Sequence, residues 1–148
     1  MGKLTGESSV EIDAPIATVW AELENVLGAA EWQGGMKSMA AVETDADGRA
    51  TVVDVVADGK VRDLKSRQRF TYAGPNKLSW SQEKGDMSAI DGSWTLESLD
   101  ENRTKATYAL VADPGRKLGL VIRGPVEMAL RAMLVNPRAG ELKKRIEG

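Results

Sequence analysis

From Asp63 to Tyr72 the chain alternates residue by residue: Leu64, Ser66, Gln68, Phe70 and Tyr72 fall on one side, and Asp63, Lys65, Arg67, Arg69 and Thr71 on the other. Side chains of an extended strand point alternately to opposite faces, so this segment can be buried on one face only. A slip of one residue would drive Lys65, Arg67 and Arg69 into the interior, where unpaired charge is strongly disfavoured. The chain therefore needs a sheet that is wet on one face and covered on the other, the usual situation of antiparallel sheets.

The flanking segments supply the other strands. Ser8 to Ile12 alternates in the same way, and the Val- and Thr-rich run Ala50 to Ala57 lies between the turn signals Asp47-Gly48 and Asp58-Gly59. Leu78, Trp80 and Gln82 share a face, as do Trp94 and Leu96, and Ala106, Tyr108 and Leu110. Asp91-Gly92 reads as a bulge or sharp bend in a long strand. Asp13-Ala14-Pro15 predicts a helix start with Asp as cap, and Ile16, Val19, Trp20, Leu23 and Leu27 continue as an apolar stripe, followed by a second short helix near Ala29 to Glu31. At the other end the periodicity predicts one long helix from Pro125 to Glu147. Met128, Ala132, Val135, Ala139, Leu142 and Ile146 would pack on the sheet, and Pro137 would bend the helix around it. Val126, Leu130, Met133 and Leu134 form a second stripe on the opposite side, open to cover by neighbouring segments or to a homodimer through this helix.

The pattern is that of an α+β helix-grip fold: a curved antiparallel sheet of about seven strands, two short N-terminal helices, and a long C-terminal helix enclosing a hydrophobic cavity. At 148 residues one core suffices, and we expect a single ligand-binding domain over 1–148, ordered from about 6 to 147. The chain has no Cys and no His, which excludes disulfides, thiolate and imidazole chemistry, and zinc sites built on those residues. No metal and no cofactor are expected. With 20 Lys and Arg against 22 Asp and Glu there is no basic run to attract a phosphate backbone, so nucleic acid is not an expected partner. Met1 to Ser9 lacks an apolar leader and no apolar run is long enough to span a bilayer, so the cytoplasm is the expected compartment, with no stable membrane anchor.

Val10-Glu11-Ile12-Asp13-Ala14-Pro15 with Val19-Trp20 resembles the opening of the START-like (SRPBCC) superfamily. Leu78-Ser79-Trp80 with Gly85-Asp86, Asp91-Gly92-Ser93-Trp94-Thr95-Leu96 and Thr104-Lys105-Ala106-Thr107-Tyr108 resemble the middle strands of its polyketide cyclase/dehydrase and lipid-transport branch, close to the coenzyme-Q-binding START-like proteins. The resemblance implies the helix-grip scaffold and carries over no catalytic residue.

A sheet bent around a helix leaves its inward side chains to line a cavity, and Val53, Val55, Leu64, Ser66, Gln68, Phe70, Trp80, Trp94, Tyr108, Met128 and Met133 are the candidate ligand-binding residues. Gln68 and Ser66 stand out because buried polar groups need partners. Asp91, Tyr108 and Asp54 are weak catalytic candidates, with no convincing carboxylate pair. The leading expectation is noncatalytic binding or transport of a hydrophobic small molecule, whether lipid, isoprenoid quinone or polyketide-like. The alternatives are a polyketide cyclase or dehydratase working without metal, Cys or His, and a co-chaperone-like interaction module.

Overall fold

The computed structural model describes residues 3–148; Met1 and Gly2, within the stretch read for a leader, lie outside the described residues. Strands β1 (Leu4–Ile12), β2 (Met36–Thr44), β3 (Ala50–Asp58), β4 (Asp63–Ala73), β5 (Lys77–Gly85), β6 (Ala89–Asp100) and β7 (Arg103–Asp113) form one sheet in the order β1-β7-β6-β5-β4-β3-β2. Every neighbouring pair is antiparallel. The alternation in β4 is realised: Leu64, Gln68 and Phe70 are buried, while Lys65, Arg69 and Thr71 are exposed.

Helix α1 (Ile16–Glu24) and a 3-10 helix (Val26–Glu31) link β1 to β2. Val19 and Leu23 fill the core as expected, but Leu27 is exposed. Asp13 does not cap α1. Pro15 occupies the cap position, and the Asp13 amide donates instead to Glu147 Oε2 at 2.8 Å. The segment Asp91-Gly92 contains no bulge, because β6 pairs with β7 in unbroken register there. Irregularities fall between Arg67 and Gln68, between Ser98 and Asp100, and at three places along the edge strand β2: Met36/Ser38, Ala41/Glu43 and Glu43/Thr44.

After the short helix α2 (Gly115–Gly119), the expected long helix is divided into α3 (Pro125–Leu134) and α4 (Arg138–Glu147). Pro137 has no N–H to return to the Met133 carbonyl, and it disfavours helical geometry in the residue before it, so the helix breaks instead of bending. The break exchanges the two apolar stripes. In α3 it is Leu130 and Leu134 that are buried, while Met128 is 72% exposed and Ala132 is exposed. In α4 the first stripe resumes with Ala139 and Leu142 buried, and Val135 is buried at the junction. Leu130 and Leu134 of the second stripe are therefore core residues, with Val126 and Met133 half-buried beside them.

Strand β1 secures this break. Ser8 Oγ donates to the Asn136 carbonyl at 3.0 Å and accepts from the Ala139 amide at 3.1 Å, so one hydroxyl satisfies a backbone group on each side of the interruption. Thr104, fully buried, likewise ties β7 to the β1–α1 turn by donating to the Ala14 carbonyl at 2.8 Å.

Candidate ligand-binding cavity

Between the concave face of the sheet, the 3-10 helix and the α3–α4 junction lies a cavity of about 110 Å³. Its wall carries Val55, Leu64, Ser66, Gln68, Phe70, Trp80, Trp94 and Tyr108, all of them anticipated from strand parity. Val53 faces inward but packs in the core with no exposure, away from the cavity. Met128 points to solvent. Met133 lies against Gly35, whose positive φ of 79° and close approach to Met133 and Leu134 suit a residue without Cβ. Leu134 takes the place on the wall expected of Met128 and Met133.

The aromatic side chains form a connected arc. Ring centroids are 5.6 Å apart for Phe70 and Trp80, 5.8 Å for Trp80 and Tyr108, 5.0 Å for Tyr108 and Trp94, and 6.3 Å for Trp94 and Trp32. All pairs are tilted, an arrangement favoured by the ring quadrupoles. Gly92, directly opposite Trp80 in the β5–β6 register, makes room for the Trp80 indole; a Cβ there would overlap the indole ring. Gly92→Ala is expected to displace Trp80 from Phe70 and Tyr108 and to cost about 2 kcal/mol, by the usual range for overpacking. Thermal melting and tryptophan emission would both register the change, and an unaltered emission spectrum would contradict it.

Three methionines, Met36, Met39 and Met87, complete the apolar lining. Being unbranched and soft, they can repack around guests of different outline. An engineered cavity of ~150 Å³ holds a benzene molecule, whereas drug-sized guests need ~300–1,000 Å³. The cavity as it stands thus matches a guest of about one ring, and larger ones would require these methionines to move.

Polar groups interrupt the lining in two places. On the β4–β5 wall Gln68 Nε2 donates to Ser66 Oγ (3.2 Å), Ser66 Oγ to Gln82 Oε1 (3.0 Å), and Gln82 Nε2 to the Met87 carbonyl (2.9 Å). Gln68 and Ser66 therefore find side-chain partners, and the chain of donors leaves the Gln68 side-chain oxygen at its free end. The second place is Arg138, from the first turn of α4 and 1% exposed. Its Nη1 donates to Glu141 Oε1 at 2.7 Å and to the Gly34 carbonyl at 3.0 Å, while Glu141 Oε2 accepts from the Gly34 amide at 2.9 Å. Its guanidinium carbon lies 5.7 Å from the Tyr108 ring centroid. Arg138 Nε has no partner, and neither has Trp32 Nε1, which belongs to the same lining; both atoms are buried. Orphan donors of this kind cost on the order of 1–3 kcal/mol each.

Burial pushes the Tyr108 phenol above its usual value of 10, with the positive charge of Arg138 opposing the shift in part. Tyr108 is thus a hydrogen-bond donor at neutral pH and not a base. The other two catalytic candidates are away from the cavity. Asp91 shares a shallow groove on the outer face with Arg69, Ser79 and Ser81, and Asp54, on the same face, is paired with Arg67 at 2.8 and 3.0 Å, which holds its carboxyl below the usual range. Both sit at alternate positions whose neighbours face inward, so parity places them outside. Among the described residues, the carboxylate on the cavity lining is Glu22, and it is engaged by Arg145 at 3.2 Å.

Strand parity and helical spacing do not point to Trp32, Met36, Met39, Met87 and Arg138 as lining. Arg138 carried a readable signal, since it falls on the helical stripe of Val135, Ala139 and Leu142, where a charge is out of place. Trp32 and Met87 lie in turns that have no periodicity.

The model of the family described as polyketide cyclase / dehydrase and lipid transport matches residues 12–136. The chain belongs to that family. Curated protein sequences include no significant match. Among solved structures, a START superfamily protein from Mycobacterium smegmatis superposes with a TM-score of 0.81 at 16% identity, covering 99% of this chain and 98% of that one. The Zhui aromatase/cyclase from a Streptomyces species gives 0.73 at 19% identity over 99% and 94%. A protein from Thermus thermophilus gives 0.75 at 17% identity over 96% and 97%. At these identities the likeness establishes the fold, a START-like helix-grip scaffold. No helix among the described residues is long and apolar enough to cross a membrane.

Proposed function

We propose that this member of the family encloses a compact, ring-bearing hydrophobic molecule and carries it unchanged. The observation behind this reading is the aromatic arc from Phe70 to Trp32 on one wall of the cavity, with Asp54 and Asp91 on the opposite face of the sheet. Aromatic walls and a cavity of about 110 Å³ favour a ring of the quinone or polyketide-like kind over a long acyl chain, which would need a longer channel.

Filling the cavity tests the reading. Ala57 lines it, and Ala57→Phe is expected to weaken binding of small aromatic probes at least about tenfold, since the guest then competes with a resident ring. Tryptophan emission would follow the titration. Equal affinity in the variant would place the guest elsewhere.

The family description also names cyclases, and one feature favours that second reading: a protonated Tyr108 beside Arg138 could donate to a developing enolate. Tyr108→Phe separates the two. A carrier keeps its affinity to within about threefold, the effect of one modest hydrogen bond, whereas an enzyme relying on the phenol loses turnover.

A further inference from the structure

Two of the three buried side-chain polar atoms without a partner among the described residues belong to residues that line the same cavity. Both are donors. Trp32 Nε1 can only donate, and so can every nitrogen of a guanidinium. The third, Arg131 Nε, is not on this lining. Trp32 and Arg138 stand at the two ends of a contact series, Trp32–Trp94–Tyr108–Arg138, so the orphan donors flank one stretch of wall. Buried donors are seldom left unmatched in folded proteins, and an acceptor oxygen entering this cavity, from water or from a guest, would match them.

The charge of that acceptor can be deduced. Glu141, at 2.7 Å, already compensates the Arg138 guanidinium, so the buried pair has no net charge. A carboxylate guest would bring a negative charge that nothing further on this wall neutralises, and desolvating it would be costly. A neutral carbonyl oxygen meets the orphan donors without that penalty.

Resting on the reading that the cavity binds a ring-bearing guest, we propose that Trp32 Nε1 and Arg138 Nε are specificity-determining donors that select a neutral guest carrying a carbonyl-type acceptor oxygen. A hydrocarbon of the same outline leaves them unpaired. A guest whose polar group only donates gains nothing from this wall.

The test compares three probes of similar shape: 1-indanone, indane and indane-1-carboxylate, titrated into the full chain and followed by 1H–15N correlation of the indole groups. The expected result is that 1-indanone binds about fivefold to tenfold tighter than indane, the range of one or two modest hydrogen bonds, and tighter than the carboxylate. Its binding should also shift the Trp32 indole N–H signal downfield, a change that a purely structural role would not produce. Trp32→Phe keeps a ring in place and removes the donor, so it should lower 1-indanone affinity more than indane affinity and thereby erase much of the ketone preference. Arg138→Met should act in the same direction if it folds; should it not fold, Trp32→Phe decides alone. Equal binding of indane and 1-indanone, or a preference for the carboxylate, would overturn the proposal and leave the cavity reading standing. If no probe binds, both are overturned.

Discussion

Leu130→Asp is expected to unfold the chain, while Met128→Asp, two positions earlier in α3, leaves the melting temperature within about 2 °C, as surface substitutions usually do. Leu130 has no exposure and Met128 is 72% exposed. Truncating a buried leucine costs about 2–5 kcal/mol, and an unpaired buried carboxylate adds further to that. Together they approach the whole stability of an ordinary domain, about 5–15 kcal/mol. Circular dichroism and size-exclusion chromatography would check both variants. A folded Leu130→Asp with an altered oligomeric state would restore the reading in which this leucine faces outward and joins two subunits.

The second large effect concerns the ion pair behind the cavity wall. Glu141→Ala removes the partner of a guanidinium that is 1% exposed, together with the acceptor of the Gly34 amide. Breaking a buried pair from one side costs about 3–5 kcal/mol. Glu141 itself is 21% exposed, which places the expected loss near the lower end, about 3 kcal/mol, or a melting temperature lower by about 6–12 °C for a chain of this size. Glu141→Gln keeps oxygen and hydrogen-bonding capacity at the same reach and should lose clearly less. Equal losses in the two variants would show that the charge on Glu141 is immaterial, and small losses in both would show that water replaces it.

How far these features are legible in the sequence depends on the period involved. Parity along β4 places Ser66, Gln68 and Phe70 on the inner face because a strand offers only two directions, and charge on the alternate residues rules one of them out. Parity also holds the answer for Asp91, between inward Ile90 and Gly92, but an Asp-Gly pair is equally a signal for a bend, and a bend hides the direction. In the C-terminal region the periodicity is correct within each half and misleading across both. A single helix axis from Pro125 to Glu147 makes Met128 and Ala139 share a side, and breaking that axis at Pro137 turns Met128 away and brings Leu130 and Leu134 in. The missing information is whether proline bends or ends the helix. Ser8, at the far end of the sequence, contributes to the outcome by satisfying the backbone on both sides of the break. Trp32 is hidden for another reason: turn residues have no repeat, and their direction is set by contacts that only the folded chain provides.

The irregular border at β2 has a consequence for the protein in crowded solution. A sheet that does not close into a barrel ends in a row of amides and carbonyls that a second molecule could extend. Here three offsets within nine residues interrupt the spacing a docking strand would have to match. Lys37 and Glu43 set charge along the same margin. Strand-by-strand polymerisation is thereby discouraged at its starting template, and the molecule can remain open on that side without becoming adhesive.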